Sequence, residues 1–372
     1  MNKEEITRRI RQLNRREFGY ITFIEDALIR HLAVEDEDKL AEFLVQNAPR
    51  DFYHSSAYYL FPEREMHEKE WMASDLIFDI DADHLQEKGL RPTVFYLCNG
   101  CGEHYEKREG NCERCGGNLR RVDWLDERDL ELAKKETMRL IDILEGDLGF
   151  RESDVEVYFS GSRGYHVHVY GEEAKKLGPE ERIEITDYIR LTGYNMRYED
   201  DERKRTAKLI SAIMEGADEG FLMDLSEREK ETFASSLKRL GLEGGGDFRR
   251  SLAALMGETP AEVRRKMEAY VIRQGMVGID PVVTTDTHRL IRAPVSLHGK
   301  TGLVKKPVAD IESFNPFIDA VGLPEGEVDI HVKYSPKIFM KDREFGSYGN
   351  EAVTVPTYVA AFLMGRGVAD VQ

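Results

Sequence analysis

Apolar and charged residues recur at helical spacing over residues 3–14, and a mixed segment follows as far as Ile29. A short helix is predicted around Asp38–Gln46. Residues 51–62, DFYHSSAYYLFP, are aromatic-rich and close on proline, which suits a strand and a turn. Met72–Ile80 is predicted as a strand, because Leu76, Ile77, Phe78 and Ile80 are apolar and β-compatible. Cys98–Gly117 is a glycine- and cysteine-rich loop. Asp126 is placed to cap a long helix ending near Gly149, with an apolar stripe through Leu130, Ala133, Ile141 and Leu144. Two short strands, Val155–Ser160 and Tyr165–Tyr170, flank a GSRG turn. Helical patterns dominate from Glu180 to Arg273 and break at Gly244-Gly245-Gly246. Strand-like sequence returns at Val282–Thr285. Pro324, Ser335-Pro336 and Pro356 punctuate the remainder, and Thr357–Gly365 is predicted as a terminal helix. The expected class is α+β: strand-rich segments at both ends (1–178 and 274–372) and a mainly helical insertion between them (179–273).

At 372 residues, with 41% hydrophobic and 33% charged positions, the chain suits a large, highly charged globular protein. It contains no apolar stretch near the roughly 20 residues of a membrane span. Its opening, MNKEEITRRIRQLNRREF, is too charged for a signal peptide, so a cytoplasmic protein without membrane contact is expected. The formal charge of −17 argues against a surface that binds nucleic acid everywhere, yet leaves room for a local basic groove. Cationic runs occur in RRIRQLNRR, in Glu202–Lys208 and in His298–Lys306. Most such runs are solvated faces.

All four cysteines fall within 18 residues, as Cys98-x2-Cys101-x10-Cys112-x2-Cys115. Each CxxC turn aims two thiolates at one point, and four thiolates close a structural Zn²⁺ site with no open position for catalysis. His104 is a spare donor in an exposed loop. In DLIFDIDAD, Asp79 and Asp81 are two residues apart on a strand and share a face. Adjacent carboxylates repel unless a cation intervenes, so the pair is either a site for hard divalent ions or a solvated strand end. In FSGSRGYHVHVY, Ser160, Arg163 and His166 surround a glycine turn whose N–H groups and side chains suit phosphate, although no Walker A pattern is present. His166 and His168 share one strand face; His168 is expected to be a satisfied buried histidine. In IDPVVTTDTHRLIRAPVSLHGKTG, Asp280 and Asp286 flank VVTT, and Arg289, Arg292, His298 and Lys300 follow. The residues alone do not choose between the two aspartates.

FDID, SGSRGYH and RLIRAPVSLHGKTG, in that order, resemble the small catalytic subunit of archaeal and eukaryotic DNA primase. The resemblance runs from about residue 10 to 310 and takes in the REF stretch at Arg16–Phe18; the later VPTYVAAFLMGRG is similar to archaeal members. It implies a primase-polymerase catalytic fold that carries a zinc loop and the helical insertion. It further implies that Asp79, Asp81 and Asp280 hold two Mg²⁺ or Mn²⁺ ions. Asp280 is preferred over Asp286 because it stands twelve residues before Arg292, as the family's third acid stands before its basic residue. Ser160, Arg163, His166, Arg292 and His298 match residues around the incoming nucleotide, and Glu17 and Arg30 fall near positions beside it. Asp75, Asp83 and Asp286 are left as bystanders. The implied activity is template-directed nucleotidyl transfer that makes short primers on single-stranded DNA from nucleoside triphosphates, beside a large primase subunit. A related repair or end-joining polymerase is the alternative; the zinc loop and the insertion favour the replication enzyme. A non-enzymatic zinc-bearing nucleic-acid-binding module would leave the three acids unexplained.

Overall fold

The computed structural model describes residues 6, 9–85, 93–108, 110–195, 204–214, 218–240 and 248–372. Two four-stranded antiparallel sheets carry the site. One runs Leu290–Arg292, Asp51–Ser55, Phe18–Ile21, Ile29–Leu32; the other runs Lys306–Val308, Val155–Phe159, Gly164–Val169, Leu76–Asp81.

Period-two alternation explains how the second sheet buries both faces. Leu76, Phe78 and Ile80 join Tyr165, Val167 and Val169 in the main core. The other face shows Ile77, which packs with Val283 and Ile291, and then Asp79 and Asp81. Register places Asp79 opposite His166 and Asp81 opposite Gly164. The long helix Glu127–Gly146 covers the core face. Asp126 caps it by accepting the Arg128 N–H, and Leu130, Ala133, Leu140 and Leu144 are buried along one stripe.

A smaller three-stranded sheet, Val94–Cys98 with His104–Tyr105 and Leu119–Asp123, frames the cysteines. Helices between Pro179 and Gly275 bury a second core around Phe221, Phe233, Met267 and Val271. The Gly244–Gly246 break and the start of the Glu202–Lys208 run lie outside the described residues. Thr357–Gly365 is helical, as its pattern predicts. Among the described residues, no helix is long and apolar enough to cross a membrane.

Three expectations are corrected. Val282–Thr285 is not a strand: Pro281–Thr285 is one helical turn, with Asp280 as N-cap and Pro281 in the first turn. The local cap and the proline's fixed φ outweigh the β preference of VVTT. The predicted strand Met72–Ile80 is two strands, Trp71–Ser74 and Leu76–Asp81, parted at Asp75. The expected helix over 3–14 ends early: Ile6 and Arg9 are helical, and residues 10–12 are bends and turns that lead into a 3-10 turn, Leu13–Arg15.

Candidate active site

The two sheets meet at a cleft of about 580 Å³ lined by Asp79, Asp81, Ser160, Arg163, His166, Arg292 and His298. Seven of the eight residues singled out for catalysis or nucleotide binding therefore share one cavity. Asp280 does not line it, but it is tied to it. Its N–H donates to the Asp79 carbonyl at 2.8 Å, so the Pro281 turn begins beside the acid-bearing strand.

Burial pushes the Asp79 carboxyl up to about 8, and the charges of Asp81 and Asp280 add to the shift. Asp81 is raised as well, chiefly by burial. His166 Nε2 stands 3.6 Å from Asp79 Oδ1, but burial first, then Lys305 and Arg292, keep this imidazole neutral. Among the described residues no lysine or arginine pairs directly with Asp79 or Asp81, although the charges of Lys305 and Arg289 act on the first and that of Arg163 on the second. Carboxylate oxygens are the donors that Mg²⁺ and Mn²⁺ prefer. The acids are not drawn into a tight set: among the described residues, only the four cysteines bring three or more metal-type donors within 4.8 Å of one another.

The glycine turn is held from several sides. Ser160 Oγ accepts the Ser162 N–H at 3.2 Å, and Thr301 donates its hydroxyl to the Gly161 carbonyl at 2.5 Å. Gly161 has φ +90°, which a side chain rarely adopts. Arg163 donates to Asp83 Oδ1 at 2.5 Å and to the Asp123 carbonyl at 2.9 Å. Asp83 is therefore no bystander. Arg292 donates to Asp51 Oδ1 at 2.7 Å, to the Leu297 carbonyl at 3.0 Å and to the Tyr53 hydroxyl at 3.3 Å. His298 Nδ1 accepts the Lys300 N–H at 3.2 Å, and burial followed by Arg292 pushes this imidazole down to about 3. Neutral, with Nδ1 occupied, it carries its proton on Nε2 and acts as a hydrogen-bond donor.

The remaining expectations resolve as follows. His168 is fully buried, with Tyr170 Oη 3.2 Å from Nδ1 and Lys305 Nζ 3.3 Å from Nε2. Lys305 was hidden in the HGKTGLVKK run, whose pattern suggests solvent; it is buried and donates to the Arg292 carbonyl at 3.0 Å. Asp75 lies outside the cleft and pairs with buried Arg16 at 2.5 Å; Asp286 accepts the His288 N–H. Glu17 and Arg30 bind each other and do not line the cleft. His104 stacks on Tyr334, with ring centroids 3.5 Å apart.

The four cysteine sulfurs converge as the spacing predicts, with Cys98–Cys115 at 3.4 Å and Cys101–Cys112 at 3.5 Å. A tetrahedral zinc with Zn–S near 2.3 Å needs sulfurs about 3.8 Å apart, so the set fits the ion after small relaxation.

The sequence model for the DNA primase small subunit matches residues 123–310. A protein named DNA primase small subunit PriS from Cenarchaeum symbiosum is 35% identical over 95% of this chain and 91% of its own length. The chain belongs to the DNA primase small subunit family. A PriS from Archaeoglobus fulgidus is 34% identical over 97% of this chain and 92% of its own. One from Nitrosopumilus maritimus is 30% identical over 99% and 94%. Membership carries a replication role and a polymerase-type nucleotidyltransferase fold. In this primase small subunit the cleft also gathers Arg289, named above beside Arg292, and Arg120, Arg121 and Arg366, which the sequence patterns did not single out. Arg120 and Arg121 are neighbours on one strand and Arg366 follows the terminal helix, so no long run of cations along the chain marks them.

Proposed function

We propose that this chain is the catalytic subunit of an archaeal-type primase and joins nucleotides on a single-stranded DNA template. The observation that carries this is the pairing of two closely placed acids with guanidinium and imidazole donors in one cleft: Asp79 and Asp81 from one strand, Arg163 and His166 from the turn and strand beside it. Asp79, Asp81 and Asp280 would hold Mg²⁺ or Mn²⁺, which when bound supplies Lewis-acid activation of the attacking oxygen and charge neutralisation of the phosphates. In the reaction, the 3′-hydroxyl gives its proton to solvent, and its oxygen bonds to the α-phosphorus of a nucleoside triphosphate. The bond from that phosphorus to the bridging oxygen breaks, and pyrophosphate leaves. Arg163, the Ser160–Ser162 turn and the Nε2–H of His298 bind the triphosphate and orient it, with donors fixed before reaction. Arg292 stands across the cleft with the same role; like Arg163, which is held on Asp83, it is held on a carboxylate, Asp51, and offers its remaining donors and its charge to the triphosphate. The four cysteines would hold a structural zinc. The designation small subunit implies a larger partner, which would share initiation.

The test is synthesis from unprimed single-stranded DNA with Mn²⁺ or Mg²⁺ supplied. Asp79→Ala and Asp81→Ala should each lower product formation by at least about 10³-fold while thermal unfolding stays cooperative, since each removes an oxygen ligand of the ions that activate the reacting groups. Near-normal primer synthesis by either variant would reject the assignment. Extension of a primer without any unprimed synthesis would point to the repair-type activity instead.

A further inference from the structure

The helix Thr357–Gly365 ends at the cleft, and its ending is built from several fixed contacts. The Arg366 N–H donates to the Phe362 carbonyl at 3.0 Å, and Gly367, at φ +72°, donates to Met364 at 2.8 Å. The Gly367 carbonyl accepts from Arg120 Nη2 at 2.7 Å. A Cβ on Gly365 would lie 2.7 Å from the Lys300 carbonyl, so glycine is what lets the helix end abut the loop carrying His298 and Lys300. These contacts fix where residue 366 starts, and its side chain lines the same cavity as Arg163 and Asp81.

The arginines of this cleft are not equivalent. Arg163 and Arg292 have their guanidinium groups hydrogen-bonded to carboxylates and carbonyls. In Arg366, Nε and Nη2 are buried and find no partner among the described residues. Burial, and then Arg163, lower its pKa to about 10, so it remains a cation at neutral pH. A buried donor without a partner is costly to maintain. Nε and Nη2 form the edge of the guanidinium fork that grips two oxygens of one phosphate.

We propose that Arg366 binds a phosphate group in the catalytic cleft through its Nε–Nη2 edge. The edge is screened by its neighbours, so the phosphate reaches it as the guanidinium rotates about the terminal side-chain bonds. The residue lies outside the segment 123–310 matched by the family model, so that match assigns it nothing. The inference rests on the cleft being the nucleotide site. The phosphate is either the terminal group of the incoming triphosphate or a backbone phosphate of the nucleic acid.

The test compares wild type, Arg366→Ala, Arg366→Lys and Arg163→Ala as full chains. It measures KM and kcat for ATP in primer extension, direct binding of ATP, ADP and AMP, and binding of a labelled single-stranded oligonucleotide across a salt series. Arg366→Ala should raise the ATP KM roughly 10- to 100-fold, the loss expected for hydrogen bonds to a charged group, and kcat should fall less. Arg366→Lys should recover only part, since it restores charge without the fork. A loss for ATP larger than for AMP places the contact on the triphosphate. Unchanged ATP binding with weaker oligonucleotide binding, and a salt slope reduced by about one, places it on the nucleic acid. Both results support the proposal. Unchanged affinity for both ligands in Arg366→Ala, while Arg163→Ala still loses ATP, overturns it, as does a fall in Tm and kcat with neither affinity changed. If Arg163→Ala also keeps full ATP affinity, the nucleotide reading of the cleft falls, and this proposal with it.

Discussion

Glu17 has no exposed surface, yet its carboxylate is charged. Arg30 donates to it at 3.0 and 3.2 Å, the His31 N–H at 3.1 Å, and Lys69 Nζ lies 3.7 Å away. Burial alone would raise its pKa; the Arg30 hydrogen bond, the backbone N–H and the Lys69 charge together hold it below the ordinary value of 4.5. A depressed acid stabilises the fold above its unfolded pKa, and that stability is lost as pH falls through the folded value. Glu17→Gln should therefore cost about 3 kcal/mol at pH 7, where it strands the buried Lys69 and the half-buried Arg30. The cost should shrink steadily below pH 4.5, where wild type becomes protonated too. Urea unfolding at pH 7, 5 and 3.5 measures this, and a pH-independent difference would contradict it. The same residue shows where sequence reasoning stops. Asp79 and Asp81 are legible because strand alternation fixes their common face. The neighbourhood of Glu17 is not, because Arg30 and Lys69 reach it across 13 and 52 intervening steps of chain that no local period encodes. Asp83 escapes for another reason: the strand ends at Asp81, and the turn Ala82–His84 swings Asp83 onto Arg163.

At the scale of elements, the acid strand and the glycine-turn strand depend on one close approach. A Cβ at Gly164 would fall 1.8 Å from the Ile80 carbonyl oxygen, a backbone atom that cannot move without breaking the ladder. Gly164→Ala should therefore separate Asp79 from His166 and destabilise the protein by about 3 kcal/mol or more, at the top of the range for overpacking. Gly146→Ala is the control, because a Cβ there meets nothing within 4 Å and alanine is the better helix former. Thermal unfolding and ATP binding of both variants check the pair; equal Tm values would remove the packing argument. Two helices were readable: the Asp126-capped helix from its apolar stripe, and Thr357–Gly365 from a nearly continuous apolar run after Pro356; both occupy the predicted positions. Glu327–Ser335 carries a readable alternation, Val328, Ile330, Val332 and Tyr334 against Glu327, Asp329, His331 and Lys333, which the sequence reading passed over. Its partner over most of its length, Tyr348–Pro356, is largely exposed and offers little pattern to read. The Pro281 turn misleads in the opposite sense, since β-branched residues suggest a strand where an aspartate cap and a proline start a helix.

Across the whole molecule, the cysteine loop and the cleft are joined by one arginine. The cysteines pin the Val94–Cys98 and Leu119–Asp123 strands, and Arg120 of the second strand reaches the Gly367 carbonyl, one residue beyond Arg366. One face of the surrounding sheet gives Phe95, Leu97 and Val122 to the main core, and the other carries a small apolar cluster around Cys98, Cys112 and Leu119, so a metal would order the cysteine turns more than the strands. The net charge of −17 does not reveal this arrangement, because Arg120, Arg163, Arg292 and Arg366 converge from distant segments of an acidic chain. Zinc loss should therefore be felt in the cleft. Stripping the ion, or making Cys98→Ser with Cys115→Ser, should lower bound zinc from about one per chain to a small fraction of that. With Mg²⁺ or Mn²⁺ resupplied, the ATP KM should rise as it does in Arg366→Ala. Combining the cysteine changes with Arg366→Ala should then add little further loss, because both act through the same side chain, whereas independent sites would give additive effects. A zinc-free protein that keeps the wild-type ATP KM while its 94–123 segment becomes sensitive to protease would show that the loop is ordered for another purpose. Additive losses would show that zinc supports the cleft by a route that does not pass through Arg120 and the end of the terminal helix.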